Sequence, residues 1–195
     1  MNNTKFFYLY SILSTTALSF FNPILYIFLL SKNFSFAEVG LYLSIFWLVS
    51  FMTELPCGAI TDNIGAKNSI LLSSVFRVIG LILLLSNSLI LLYISAILSA
   101  IASSFQSGTL TSWLVNVNNK NNEEINIDKV LSRSSLYALF FSAVIGFISA
   151  KYVYVYFKSL SIILSMTVFI ISFLFTYVFM QKLEQTQKIS IENLK

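Results

Sequence analysis

The chain has 195 residues, 57% of them apolar, 16% aromatic and 10% charged, with a net charge of +4. A soluble domain of this size carries roughly 25% charged residues, and a mean hydropathy of +0.82 leaves more apolar surface than one water-soluble globule can hide. Lipid is the expected solvent, which excludes a cytosolic enzyme, a secreted disulfide scaffold and a nucleic-acid binder despite the basic balance. A single cysteine, Cys57, excludes an intrachain disulfide, and the lack of histidine removes most metal and general-base chemistry.

A spanning helix needs about 20 mainly apolar residues. Six such stretches run over 6–30, 39–60, 69–85, 89–115, 136–155 and 159–180. They predict an all-α integral membrane bundle of six helices within residues 1–182, followed by a polar tail over 183–195. A β-barrel would alternate apolar and polar residues, whereas these runs are unbroken. The first stretch is too long for a signal-peptide core and lacks a small-residue cleavage site after it.

That first stretch carries Ser11, Thr15, Ser19, Asn22 and Tyr26 at three- and four-residue spacing, one stripe of a helix. Pro23 removes a backbone hydrogen bond beside Asn22. A polar stripe with a proline fits a helix facing a water-filled cavity; polar contacts between helices are the alternative. In the second and third stretches stand Glu54 and Arg77, at similar depths of roughly 10–13 Å from the turn that joins them. Opposite charges at one level of two consecutive helices predict a structural ion pair, with a coupling role for Glu54 as a second possibility.

The fourth stretch places Ser103 and Gln106, with Ser99 and Ser107, on a second polar face, so Asn22, Tyr26, Ser103 and Gln106 are the candidate cavity lining. Small residues recur at Ala96, Ala100, Ser104 and Gly108, and in the fifth stretch at Ser142, Gly146 and Ala150. Such rows predict close-packed helix seams. Tyr152, Tyr154, Tyr156 and Lys158 suit an interfacial belt at the turn between the last two helices. With both termini in the cytoplasm, Lys5, Lys67, Lys120, Lys129, Arg133, Lys182, Lys188 and Lys195 fall inside and Lys32, Lys151 and Lys158 outside, as the positive-inside rule requires.

Residues Glu54 to Lys67 read E-L-P-C-G-A-I-T-D-N-I-G-A-K. The spacing G-x-x-x-D-x-x-G-x-K after the second helix resembles the signature loop of the major facilitator superfamily. E-L-P-x-G and S-G-T-L-T-S-W-L from Ser107 to Leu114 are similar to one mostly bacterial branch. The resemblance implies half of a twelve-helix fold and a conformational-switch loop of Gly58, Asp62, Gly65 and Lys67. In that family the loop aspartate contacts the opposite half of the transporter and stabilises one alternating-access state, a role the resemblance gives to Asp62. The residues support it: an anion at a helix C-terminus is disfavoured by about 0.3–1 kcal/mol and should face a cation or another helix N-terminus. Asn63 and Ala66 stand where the family places basic residues, Thr111 and Asn116 where the branch tends to place acids, and the fifth helix lacks a Gly-Pro pair.

The implied function is secondary active transport of a small solute or drug, including efflux, by half a transporter in the plasma membrane. Its expected partners are the bilayer, an unspecified small-molecule substrate and a second six-helix half, which is another chain or a second copy. The competing expectation is a non-transporting accessory or immunity-type membrane protein, or a truncated remnant. No catalytic residue, cofactor or metal site is expected, because the sequence lacks a nucleophile–base pair, a metal cluster and a phosphate loop.

Overall fold

The computed structural model describes residues 3–121 and 126–180, and the described residues form helices and turns. The tail over 183–195, Lys182 and the side chain of Lys120 lie outside the described residues. Six helical segments are long and apolar enough to cross a membrane: Asn3–Ser31, Phe36–Ile64, Ala66–Leu84, Leu89–Asn119, Ile127–Tyr156 and Leu160–Phe179.

The first segment is not one rod. It divides into α1 (Asn3–Phe21) and α2 (Leu25–Ser31) around Pro23, whose ring and missing N–H interrupt the helical ladder. The second, α3 (Phe36–Ile64), opens with a capping box in which Glu38 N–H donates to Ser35 Oγ at 3.3 Å and Ser35 N–H donates to Glu38 Oε2 at 2.7 Å. Gly65, at φ +85°, joins α3 directly to α4 (Ala66–Leu84), a positive φ that glycine adopts without steric cost. The fourth segment, read from sequence as continuous over 89–115, is two helices, α5 (Leu89–Gln106) and α6 (Thr109–Asn121). Gly108 at φ +68° turns the chain between them.

The fifth segment begins earlier than its apolar run. Asn126 accepts a hydrogen bond from Lys129 N–H at 3.0 Å and caps α7 (Ile127–Ile148), so two polar turns precede the greasy part. A π-helical turn, Ser149–Val153, leads to the short α8 (Tyr154–Tyr156), and α9 (Leu160–Phe179) completes the bundle. Tyr152, Tyr156 and Lys158 are exposed around that turn.

The helices associate as two triplets: α5 lies along both α3 and α4, α1 lies along both α7 and α9, and α4 meets α9 between them. Hydroxyl groups hold the seams. In the first triplet Ser73 Oγ donates to the Ala102 carbonyl at 2.7 Å, Ser95 Oγ to the Gly80 carbonyl at 2.8 Å and Ser104 Oγ to the Ser50 carbonyl at 3.1 Å. In the second, Ser165 Oγ donates to the Ala17 carbonyl at 2.6 Å and Ser19 Oγ to Ser142 Oγ at 2.8 Å. Ala96, Ala100 and Ser104 are buried as a small-residue seam, but Gly108 is exposed at the α5–α6 break and takes no part in it. Gly146 lets α7 reach α1: a Cβ there would stand 3.2 Å from Pro23 Cγ.

Two separate apolar clusters fill the interior. One gathers Phe28, Leu29, Phe34, Val39, Leu84, Leu92 and Ile162 among others. The second gathers Phe6, Phe7, Ile70, Trp113, Leu114, Val117, Val130 and Met180. Phe6 stacks on Phe175 at 5.2 Å, so the start of α1 and the end of α9 share one end of the bundle. At the opposite end the Lys32 ammonium donates to the carbonyls of Leu84 at 3.2 Å, Leu85, and Ser86 at 2.8 Å. It thereby caps α4, and partial burial holds its pKa below the usual lysine value.

Among the glycines the tightest surroundings are at Gly80, where a Cβ would meet Ser99 Oγ at 2.6 Å and the Ser95 carbonyl at 3.4 Å. Gly80→Val should push α4 off α5 and destabilise the protein by about 1–3 kcal/mol, read as a lower thermal midpoint in detergent. An unchanged midpoint would show that the seam is loose.

Candidate functional site

The turn between α3 and α4 is asymmetric. Lys67 is committed inside the bundle: its ammonium donates to the Tyr177 carbonyl at 2.8 Å and the Met180 carbonyl at 2.9 Å and lies 5.6 Å from the Tyr177 ring centre. Carbonyls of a last helical turn lack intrahelical donors, and a cation there also complements the helix dipole. Asp62, in the last turn of α3, is exposed and has no partner among the described residues. Gly58, one turn earlier, is exposed with open space where a Cβ would stand. The loop is therefore fixed on its Lys67 side and open on its Gly58–Asp62 side.

The predicted Glu54–Arg77 ion pair does not form. Counted from the turn, Glu54 and Arg77 are at matching levels, about 15 Å and 16 Å from the ends of their helices. The helices that carry them are consecutive in sequence but not neighbours along their length, because α5 packs between α3 and α4. Each charge meets the fourth segment instead. Arg77 Nη2 donates to Ser103 Oγ at 2.7 Å, and Glu54 Oε1 accepts a long 3.5 Å contact from Ser107 Oγ. Glu54 is exposed, whereas Arg77 is 4% exposed and its Nε has no hydrogen-bond partner.

Arg77 is the centre of a polar layer between the two apolar clusters. Ser103 and Gln106 are half-buried on α5, and the Gln106 amide donates to Ser14 Oγ of α1, a link between the triplets. The Phe169 ring of α9 lies 5.9 Å from the guanidinium carbon, and the buried phenols of Tyr10 and Tyr42 lie within its electrostatic reach. No carboxylate contacts it among the described residues. An unpaired charge at such depth costs on the order of 3 kcal/mol on insertion scales.

Of the other candidates, Asn22 and Tyr26 are exposed and stand apart from this layer. They lie about 12 Å and 18 Å farther along the first segment than Ser14 at 1.5 Å per residue, beyond or at the Pro23 break. Tyr26 faces the Phe36 ring at 6.3 Å. The polar stripe of α1 divides: Ser19 binds α7, while Asn22 is left open. Sequence reasoning did not single out Tyr10 and Ser14. Their spacing with Ala17 and Phe21 marks the buried face of α1, and that periodicity was the available signal.

Six membrane-length helical segments in two hydroxyl-bonded triplets, with a charged layer between apolar ends, describe a multi-pass membrane helical bundle. The family model of the Major Facilitator Superfamily matches residues 7–190, and the chain belongs to that superfamily. It is 27% identical over 179 residues to the uncharacterized MFS-type transporter YxaM of Bacillus subtilis (strain 168), covering 90% of this chain and 43% of that protein. The chain thus spans less than half the length of this relative.

Two outcomes follow from the geometry. Glu54→Leu and Arg77→Leu should be additive within about 0.5 kcal/mol in thermal stability, because the side chains do not touch; mutual rescue would restore the ion pair. Lys67→Met should release the end of α9 and cost about 1–2 kcal/mol, measured as a lower midpoint in detergent at matched salt.

Proposed function

We propose that the chain is the first six-helix half of a secondary active transporter that moves a small solute by alternating access. Its place is the plasma membrane, with the start of the first helix and the end of the last on the cytoplasmic side. The basic residues support this orientation: Lys5, Lys67, Lys129 and Arg133 belong to the end where α1 starts and α9 finishes, and Lys32, Lys151 and Lys158 to the opposite one. A second six-helix half, from another chain or a second copy, would sit against α3 and α7. Each of these helices buries few residues: Val39, Tyr42 and Cys57 in α3, and Val130, Ser134 and Gly146 in α7.

The observation that carries the proposal is Asp62. A carboxylate held in the last turn of α3, opposed by the helix dipole and without a cation among the described residues, is poised for a partner outside this half. Contact made in one conformational state and lost in the other biases the equilibrium by its own free energy. Gly58 keeps the approach clear, while Lys67 holds the loop to α9.

Alternating access can be read without knowing the substrate. In a Cys57→Ser background, Ser103→Cys should react with membrane-impermeant maleimide from both sides of the membrane. Asp62→Asn should change the ratio of the two rates by roughly two- to fivefold, the equivalent of about 0.3–1 kcal/mol, with little loss of inserted protein. Labelling from one side alone, or a ratio indifferent to Asp62, would remove the proposed gating role.

A further inference from the structure

We infer that Arg77 is the receptor for a carboxylate, and that the solute handled by this half carries one. The inference rests on the transporter reading for the identity of the anion as cargo, and on the geometry of the polar layer for its chemistry. Arginine presents five N–H donors in a planar fork that matches a carboxylate through two parallel hydrogen bonds. Here Nη2 meets the neutral hydroxyl of Ser103 and the buried Nε has no hydrogen-bond partner. Hydroxyls and rings solvate a guanidinium without neutralising it, and the groups around it are of that kind: Ser103, Phe169, Tyr10 and Tyr42.

The nearest acid in the sequence-based scheme, Glu54, is exposed and turned to Ser107. Among the described residues no carboxylate supplies the missing charge. On the α5 side of the layer Ser103 and Gln106 are half-buried, whereas Arg77 itself is buried. Nε is buried as well as unpartnered, so a carboxylate would reach it only when the layer opens, with the Ser103 hydroxyl beside it. Phe169, 5.9 Å from the guanidinium carbon, is the aromatic ring that an apolar body attached to that carboxylate would meet. A small apolar monocarboxylate matches this combination of one fixed cation and an adjacent aromatic ring.

Benzoate is the probe, tested on the purified full chain in neutral detergent, with benzamide and sodium chloride at matched concentration as controls. At about ten times its dissociation constant, benzoate should raise the thermal midpoint by about 3–6 °C, while benzamide and chloride shift it by less than about 1 °C. Arg77→Lys keeps the charge but loses the fork, and should weaken benzoate at least about tenfold; Arg77→Gln should abolish the shift. The wild-type protein decides the matter even if both variants fail to fold: equal responses to benzoate and benzamide overturn the inference. So does a benzoate shift retained in full by Arg77→Gln. Two-sided labelling at Ser103→Cys without any benzoate response would leave the transporter reading standing and remove this one, since the counter-charge would then come from a protein carboxylate of the second half.

Discussion

What organises this bundle is the hydroxyl-to-carbonyl hydrogen bond between neighbouring helices. In lipid the hydrophobic effect does not draw apolar helices together, so association depends on close backbone approach and on polar contacts. Ser73 to Ala102, Ser95 to Gly80 and Ser165 to Ala17 each require the two backbones to be close enough for a short side chain to cross. Gly80 and Gly146 supply the room. The seams run within the triplets α3–α5–α4 and α7–α1–α9, which makes each triplet a unit and leaves the junction between them to other forces.

That junction is where the charge sits. Apolar clusters at the two ends of the bundle can pack Phe28 against Leu84 or Phe6 against Trp113, but neither can absorb a guanidinium. Arg77 stays between them, on the α4 side, with Phe169 of α9 across from it. Gln106 to Ser14 is the one hydrogen bond described at this level that crosses from α5 to α1. A layer of this composition is less stable than an apolar one would be, because a lone buried cation and an unused Nε donor both cost free energy. Such a cost is tolerated where the group has a task.

The number of spans was legible because it depends only on local apolar length. Pairing was not, because it depends on which helix comes between which. Glu54 and Arg77 were placed at matching levels, yet hydropathy says nothing of α5 lying between their helices. The break at Gly108 was hidden for a related reason: a glycine at four-residue spacing from Ser104 reads as a packing position, and only its φ of +68° marks it as a corner. The start of α7 was missed because polar residues in a first helical turn look like loop until Asn126 is seen capping them. At the candidate site, Arg77, Ser103 and Gln106 did come together, while Asn22 and Tyr26 did not, since a stripe on a helix that breaks at Pro23 does not continue as one face.

The turn at Gly65 shows how one short segment can serve both inside and outside a half. Lys67 follows the glycine and caps α9, so the start of α4 is tied to the sixth span. Asp62 precedes it and is tied to nothing among the described residues. Because a carboxylate at a helix C-terminus is held against the dipole, this arrangement gains free energy whenever a cation or a helix N-terminus arrives at that face. A fixed lysine and a free aspartate on either side of one glycine therefore make the loop an arm anchored at one end and open at the other. On the proposed reading, any movement of an opposing half toward or away from Asp62 is transmitted through that arm to α4, the helix that carries Arg77.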